Sequence, residues 1–321
     1  MSILQRSFFA IAIAGGITLV AASGQVLAQQ KYPAKPIRIV VNTAPGATPD
    51  ILARLIGMKM SDHWGQPVVI DNRLPAVAAN ALVAKAAPDG YTLLQTSSSI
   101  AIRAAIFTNL PYDTQKDFAG VSEIGNSNVV VVTSPSFGIK SVKELIAYAS
   151  VRPGKIFFAT PAAGGADHMN LERFRLAAGI KAQHVSFKGP AESMIEVMAA
   201  RAHFTTTGLT AALSHIKDGK LVAVVQRAPG LPGVPLAEEI LPTWKQIGAH
   251  AILAPAGTPL AIRAQVGKEI ARIVNLPDIR QRLDAVSFRI DTTTPEEHER
   301  RLRADIEAYV KVMKDIGLKP N

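Results

Sequence analysis

Cysteine is absent from the 321 residues, which excludes disulfides, thiol nucleophiles, thiolate metal sites and a lipid-anchored lipoprotein. Aromatic residues are scarce, at 6% with two Trp. No basic stripe interleaved with aromatics occurs, so nucleic acid is not an expected partner. No apolar run reaches the roughly 20 residues that a membrane-spanning helix needs; the longest, residues 8–22, is about 15. A Gly-x-Gly-x-x-Gly nucleotide fingerprint is missing, as are internal repeats and low-complexity stretches. The Met and Leu stripes read as core, not as cofactor boxes, and no cofactor is expected.

What is present begins with residues 1–28. Arg6, the apolar run and the closing Val26-Leu27-Ala28 have the form of a secretory signal peptide, with cleavage expected after Ala28. An exported chain in the periplasm is the expectation. A length of 321 residues suffices for two lobes, each with its own core. The formal charge of +10 suits an anionic partner drawn in by long-range steering, or is solvated surface.

Short β-type runs alternate with helical patterns, the sign of an α/β protein with mostly parallel sheets. Strands are expected at 37–41, 68–70, 92–95, 129–133, 155–159, 183–186, 204–206, 221–225 and 252–254. Helices are expected at 51–60, 76–86, 192–200 and 209–217, from Ser141, up to Ala178, from Thr258-Pro259, and from Thr294 to Ile316. Thr294, Pro295 and Glu297 spell cap, first helical residue and capping box, and Leu302, Ile306, Tyr309, Met313 and Ile316 form the inward stripe. The turn-rich segment 228–235 reads as a connection between lobes.

Two strand-to-helix turns are built from small residues. The first runs Thr43, Ala44, Pro45, Gly46, Ala47, Thr48, Pro49, Asp50. The second runs Thr160, Pro161, Ala162, Ala163, Gly164, Gly165, Ala166, Asp167, His168. A helix N-terminus offers unpaired N–H groups and partial positive charge, and small residues let a carboxylate approach the backbone. In α/β sheets such sites lie beyond the carboxyl ends of the strands. Ser97 and Ser98, following a strand, add hydroxyl donors. Asp50 and Asp167 read first as partners of the helix dipole. His168 and Glu172 read as an exposed i,i+4 pair rather than metal ligands, and no metal is expected. Gly125-Asn126-Ser127-Asn128-Val129 breaks the Gly-x-Ser-x-Gly hydrolase pattern at its last position, which leaves an exported serine hydrolase as a remote alternative.

Several segments in this order and spacing resemble the Bug family, the substrate-binding proteins of tripartite tricarboxylate transporters. They include Gly65-Gln66-Pro67-Val68-Val69-Ile70-Asp71-Asn72-Arg73, Ala87-Pro88-Asp89-Gly90-Tyr91-Thr92-Leu93-Leu94 and Leu110-Pro111-Tyr112-Asp113. Others are Phe187-Lys188-Gly189, Lys217-Asp218-Gly219-Lys220-Leu221, Leu231-Pro232-Gly233-Val234-Pro235 and Ala254-Pro255-Ala256-Gly257-Thr258-Pro259. The resemblance covers the chain from Tyr32 onward. It implies an α/β, two-domain periplasmic-binding-protein fold of type II, the Venus-flytrap form, each domain a mixed, mostly parallel sheet flanked by helices. Residues 30–127 plus 231–321 would make domain 1 and residues 128–230 domain 2, with the ligand cleft between. It also implies a binding protein, not an enzyme, that captures a small carboxylate or dicarboxylate, mainly with the two loops. Partners would be the membrane permease subunits of such a transporter or a sensor kinase. A monomer is expected, and a sensor or scavenger without a permease is the alternative.

The sequence departs from the family where the ligand should sit. Thr43 and Pro45-Gly46-Ala47 replace an aromatic and a Gly-rich turn. Leu74-Pro75-Ala76-Val77-Ala78 replaces a Gly-rich stretch. Thr207-Gly208 replaces an Asp-Asn pair, Arg103 an Asn, and Ala249-His250 aromatics. Arg103, Thr207 and His250 would make the cleft more tolerant of anions.

Overall fold

Alternating apolar runs and helical stripes condense into two sheets wrapped by helices. The computed structural model describes residues 32–161, 164–245 and 248–319. The expected leader and its cleavage site lie outside them. Residues 1–34 and 35–321 are separate units; of the first only residues 32–34 are described, and the fold below is that of the second. In chain order it begins with β1 (Ile37–Val41), α1 (Thr48–Trp64), β2 (Val68–Asn72), α2 (Ala76–Ala84), β3 (Thr92–Thr96), α3 (Ser99–Ile106) and β4 (Phe118–Ser127). Next come β5 (Val129–Thr133), α4 (Val142–Ser150), β6 (Phe157–Pro161), α5 (Ala166–Ala177), β7 (Gln183–Phe187) and α6 (Pro190–Met198). Then follow β8 (Phe204–Gly208), α7 (Leu209–Lys217), β9 (Val222–Gln226) and α8 (Ala237–Ile240). The chain closes with β10 (His250–Pro255), α9 (Leu260–Val274), α10 (Pro277–Ala285), β11 (Phe288–Ile290) and α11 (Pro295–Asp315).

One sheet has the order β11-β4-β10-β3-β1-β2 and the other β7-β6-β8-β5-β9. Apart from β11 the two orders are the same. Each has a parallel trio, β2-β1-β3 or β7-β6-β8, and then an antiparallel strand that enters from the other lobe, β10 or β5. The repeat lies in topology alone, which is why no sequence repeat betrays it.

Local chemistry explains the elements. In α1, Leu52, Ile56 and Met60 are buried at helical spacing. Gly65 ends it in the left-handed region, φ +65°, with its N–H on Ser61 C=O at 3.0 Å. In α11, Thr294 accepts from the Glu297 N–H at 3.2 Å, as the capping pattern foretells. Two other threonines that precede a proline, Thr48 and Thr258, do not act as side-chain caps. Ala47, not Thr48, precedes α1 and makes no side-chain cap. Thr258 donates to Pro255 C=O at 2.8 Å rather than capping α9. In both cases the proline fixes the entry, so the hydroxyl is not needed.

The elements β4, α3, α8, α10 and β11 have no counterpart among the expected ones. The strand β4 reads FAGVSEIGNS, and its Gly, Ser, Glu and Asn carry no β-propensity. Tertiary pairing with β10 and β11 makes it a strand. A boundary also shifts. Leu231 and Val234 pack on one face of the second sheet, and Ala237, Leu241 and Trp244 on the other. Trp244 is 1% exposed and sits edge-on to Phe174 at 5.0 Å. Burying an aromatic of that size contributes about 1.5–3 kcal/mol or more, enough to hold residues 231–245 on the second lobe. The expected return to the first lobe at residue 231 is therefore too early, and the chain crosses back between Trp244 and β10.

Asn128 stands where β4 of one sheet hands over to β5 of the other. It is 2% exposed. Its Nδ2 donates to Ala228 C=O at 2.7 Å and its Oδ1 accepts from Ala228 N–H at 2.9 Å. Its backbone N–H donates to Ser287 C=O, and its C=O accepts from Leu209 N–H, both at 2.9 Å. Asn128→Ala strips two partners from a buried backbone, so unfolding free energy should fall by about 2–4 kcal/mol. Urea titration checks this, and a loss under about 0.5 kcal/mol would mean that water replaces the amide.

Candidate functional site

A cavity of about 210 Å³ lies where the two lobes meet. The first lobe contributes Ser97 and Ser98 from the end of β3, Asn126 and Ser127 from the end of β4, His250 from β10 and Tyr309 from α11. The second contributes Ala166, Asp167 and Asn170 from the first turn of α5, and Val129 from the start of β5. Gly248 and Ala249 form the floor on the returning crossing. The strand ends and the α5 N-terminus thus meet as an α/β crevice requires. Met169, fully buried, joins the lobes beside the cavity by packing among Ala101, Ile102, Ile106 and Ile306.

The lining is polar but nearly uncharged. Burial pushes His250 down to about 4, so its ring is neutral at pH 7. Its Nε2 lies 3.4 Å from Ser127 Oγ, and its buried Nδ1 has no partner. A serine nucleophile needs a base oriented by an acid on that nitrogen, so the pair is a hydrogen-bonding surface rather than a triad. Tyr309 is 2% exposed, is hydrogen-bonded with Ser98, and is pushed up to about 12 by burial. Burial raises Asp167 as well, which weakens its repulsion of an incoming anion.

The expected site residues divide. Ser97, Ser98, Ala166, Asp167 and His250 line the cavity. Ala162 and Ala163 lie outside the described residues. Gly164 and Gly165 precede α5 as the turn and N-cap, with Gly164 at φ +76°.

His168 turns away from the cavity. Its Nδ1 accepts from Gly164 N–H at 2.9 Å, its Nε2 lies 3.6 Å from Glu172, and its ring stacks on His184 at 3.9 Å. The pair with Glu172, expected to be exposed, is buried at 4% and 6% because Phe158 and His184 cover it. Thr160 is buried with its Oγ1 2.6 Å from His184 Nε2. Thr207 is buried in β8 opposite Val130.

The first loop is not part of the cavity wall. Its Gly46 N–H donates to Asp50 Oδ2 at 2.8 Å, and Thr43 C=O accepts from Asn72 Nδ2 at 3.1 Å. Although burial alone would raise it, Asp50 is held below the usual range by Arg54, Gly46 N–H and Asn72. The carboxylate on the Gly46 N–H is thus the loop's own. Ala44, Pro45 and Thr48 are exposed, and Ala47 is half-buried. Arg103 also lies off the wall, on α3 with a buried Nε lacking a partner, where its charge reaches Tyr112.

Asn170 and Tyr309 were not foreseen. Asn170 lies one helical turn from Ala166 and Asp167, a spacing legible in sequence. Tyr309 was read as core, although a tyrosine on an apolar stripe carries a polar tip that needs a partner.

Next to the cavity, Glu123 is 5% exposed and accepts from Arg301 Nη1 at 2.7 Å. Burial nevertheless pushes it up to about 7, since Arg301 is shared with Glu297 and Asp291. Asp305, on Gly248 N–H at 2.8 Å, is pushed up to about 6 by burial.

Two lobes of one strand order, linked by crossing strands around a polar cavity, define a two-lobed solute-binding protein. Residues 52–318 match the family described as the tripartite tricarboxylate transporter family receptor, and the chain belongs to that family. Protein BugT of Bordetella pertussis is 29% identical over 318 residues, covering 96% of this chain and 98% of that protein. A solved R. palustris protein with adipate is 28% identical at a TM-score of 0.73, covering 90% of this chain and 100% of that one. MatC from Rhodopseudomonas palustris with bound malate is 25% identical at a TM-score of 0.67, covering 88% of this chain and 99% of that one.

Glu123 generates a pH prediction. Unfolded, it loses its proton near 4.5; folded, it keeps it to about 7. Folding takes up a proton in that window, so stability falls as pH rises through it and levels off above. Asp305 adds to the same trend. Glu123→Gln should gain on the wild type by on the order of 1–3 kcal/mol between pH 4.5 and pH 8. Urea midpoints at both pH values check this; an equal offset at both would mean that Glu123 stays ionised throughout.

Proposed function

We propose that this protein is exported to the periplasm, where it captures a small carboxylate or dicarboxylate in the cavity between its lobes. It then presents the ligand to the membrane subunits of a tripartite tricarboxylate-type transporter. The observation that carries this reading is the cavity's chemistry: hydroxyls, amides, a neutral imidazole and a helix N-terminus, with no Lys or Arg among the described lining residues and with Asp167 raised by burial. Such a surface orients an anion by many weak donors and releases it again. Its volume of about 210 Å³ suits a short-chain acid. The relatives solved with adipate and malate support the same ligand class.

One carboxylate would take the exposed N–H groups that begin α5 and the hydroxyls of Ser97 and Ser98. Ligand entry needs the Met169 contact to open, and rotation about the Asn128 crossing supplies that motion. Closure then buries the acid, and no bond is made or broken. No helix among the described residues is long and apolar enough to cross a membrane.

Calorimetry, thermal shift and small-angle scattering with succinate, glutarate, adipate and malate test the reading. A true ligand at 100-fold above its Kd should add about 2.7 kcal/mol of stability and shrink the radius of gyration. No stabilisation by any organic acid, with binding of amines or sugars instead, would overturn it. Export has its own check: the protein recovered from the periplasm should have the intact mass of a chain beginning at Gln29. A retained residue 1–28 segment would refute the cleavage.

A further inference from the structure

Behind the cavity wall two guanidinium groups of the second lobe are buried without a carboxylate partner. Arg173 on α5 is 9% exposed, and its Nη2 donates to Lys245 C=O. Arg227, just after β9, lies over the Trp244 ring at 3.8 Å and donates from Nη1 to Trp244 C=O at 3.2 Å. Its Nη2 donates to Asn170 Oδ1 at 3.0 Å. Arg173 Nη1 and Arg227 Nε are buried with no hydrogen-bond partner. Neither arginine makes an ion pair among the described residues.

The two cations repel each other, and burial lowers both. Asp305, the carboxyl whose charge Arg173 feels, is spent on Gly248 N–H. Packing alone would not call for this. A Met or Gln fills such a site without the cost of desolvating charge. A fold that keeps both guanidiniums here has a use for positive charge beside the cavity.

Asn170 connects the charge to the cavity. It lines the wall, while its Oδ1 is taken by Arg227 and its backbone C=O by Trp244 Nε1 at 3.3 Å. Its Nδ2 makes no hydrogen bond among the described residues, and it is not among the buried atoms lacking one. Because the acceptor end is pinned by a cation, the amide cannot flip, and the end left for the cavity is a donor.

We propose that Arg227 is a positioning residue that holds Asn170 Nδ2 toward the cavity, and that Arg227 and Arg173 together make the α5 side select an ionised second carboxylate. The ligand class is then a dicarboxylate rather than a monocarboxylate or a monoamide. This rests on the proposed capture of organic acids and names the specificity of that same cavity.

The test uses the exported full chain and succinate, glutarate, adipate and malate, each paired with its monoamide. The wild type should favour at least one diacid over its monoamide by about tenfold or more, the worth of one charge-assisted contact. Arg227→Met should cut that ratio to about twofold while binding the monoamide nearly as before. Asn170→Asp replaces the donor with an acceptor that pairs with Arg227. It should melt no lower than wild type yet bind the diacid about tenfold more weakly or worse. It also keeps the test decisive should the Met variant fail to fold. Equal losses for diacid and monoamide in Arg227→Met, or unchanged diacid binding in Asn170→Asp, would overturn the positioning role while leaving acid capture intact. No acid binding to the wild type would overturn both.

Discussion

The two-way amide clasp between Asn128 and the Ala228 backbone is the constraint on which the two lobes depend. One side chain at the first crossing satisfies both polar groups of a residue that leaves the second sheet. Its own backbone is tied to Ser287 and to the start of α7. Asparagine suits this point because it carries a donor and an acceptor on one short rigid end. Aspartate offers no donor and leucine neither. With the crossing held, β4 and β5 can belong to different sheets while only one residue separates them. Gly230 completes the fit, since a Cβ there would meet Leu209 Cδ2 at 2.5 Å and Asn128 Nδ2 at 2.9 Å.

Around that clasp the molecule manages charge by burial. His250 faces the cavity as a neutral ring, and Asp167 is pushed toward neutrality. Glu123 and Asp305 sit just behind, both raised. The acids nearest the cavity are thus the ones least disposed to carry negative charge, and the cations behind it, Arg173 and Arg227, stay unpaired. The local field therefore favours an anion, although among the described residues no charged side chain but Asp167 touches the cavity wall. The formal charge of +10 can act on a ligand only at long range. On the proposed reading, selection within the cavity is local and comes from desolvation.

Much of the fold was legible in the sequence. The strand Ile37–Val41 is β-branched and buried at every position but Arg38, and α11 carries both its cap and its stripe. Such elements announce themselves because their period and their ends are written locally. The strand β4 did not, because its residues become a strand only between β10 and β11. The site was half legible. The α5 turn and Ser97-Ser98 were found by their small or hydroxyl residues at strand ends, and both reach the cavity. The equally suggestive loop from Thr43 to Asp50 does not, since Asp50 takes up its Gly46 N–H. A sequence pattern registers that N–H groups are available, but not which neighbour has already taken them.

By itself the sequence determined the α/β class, the capped start and inward stripe of α11 and its family, because each rests on short-range periodicity or on motifs in order. Tertiary structure alone decided that the two sheets share one strand order and that residues 231–245 belong to the second lobe. It also brought Tyr309 of the last helix to the same cavity as Asn170, and set Arg227 behind Asn170. The physical reason is common to all four. Burial, hydrogen-bond occupancy and unpaired charge depend on residues far apart in the chain, and only packing brings those residues within reach of one another.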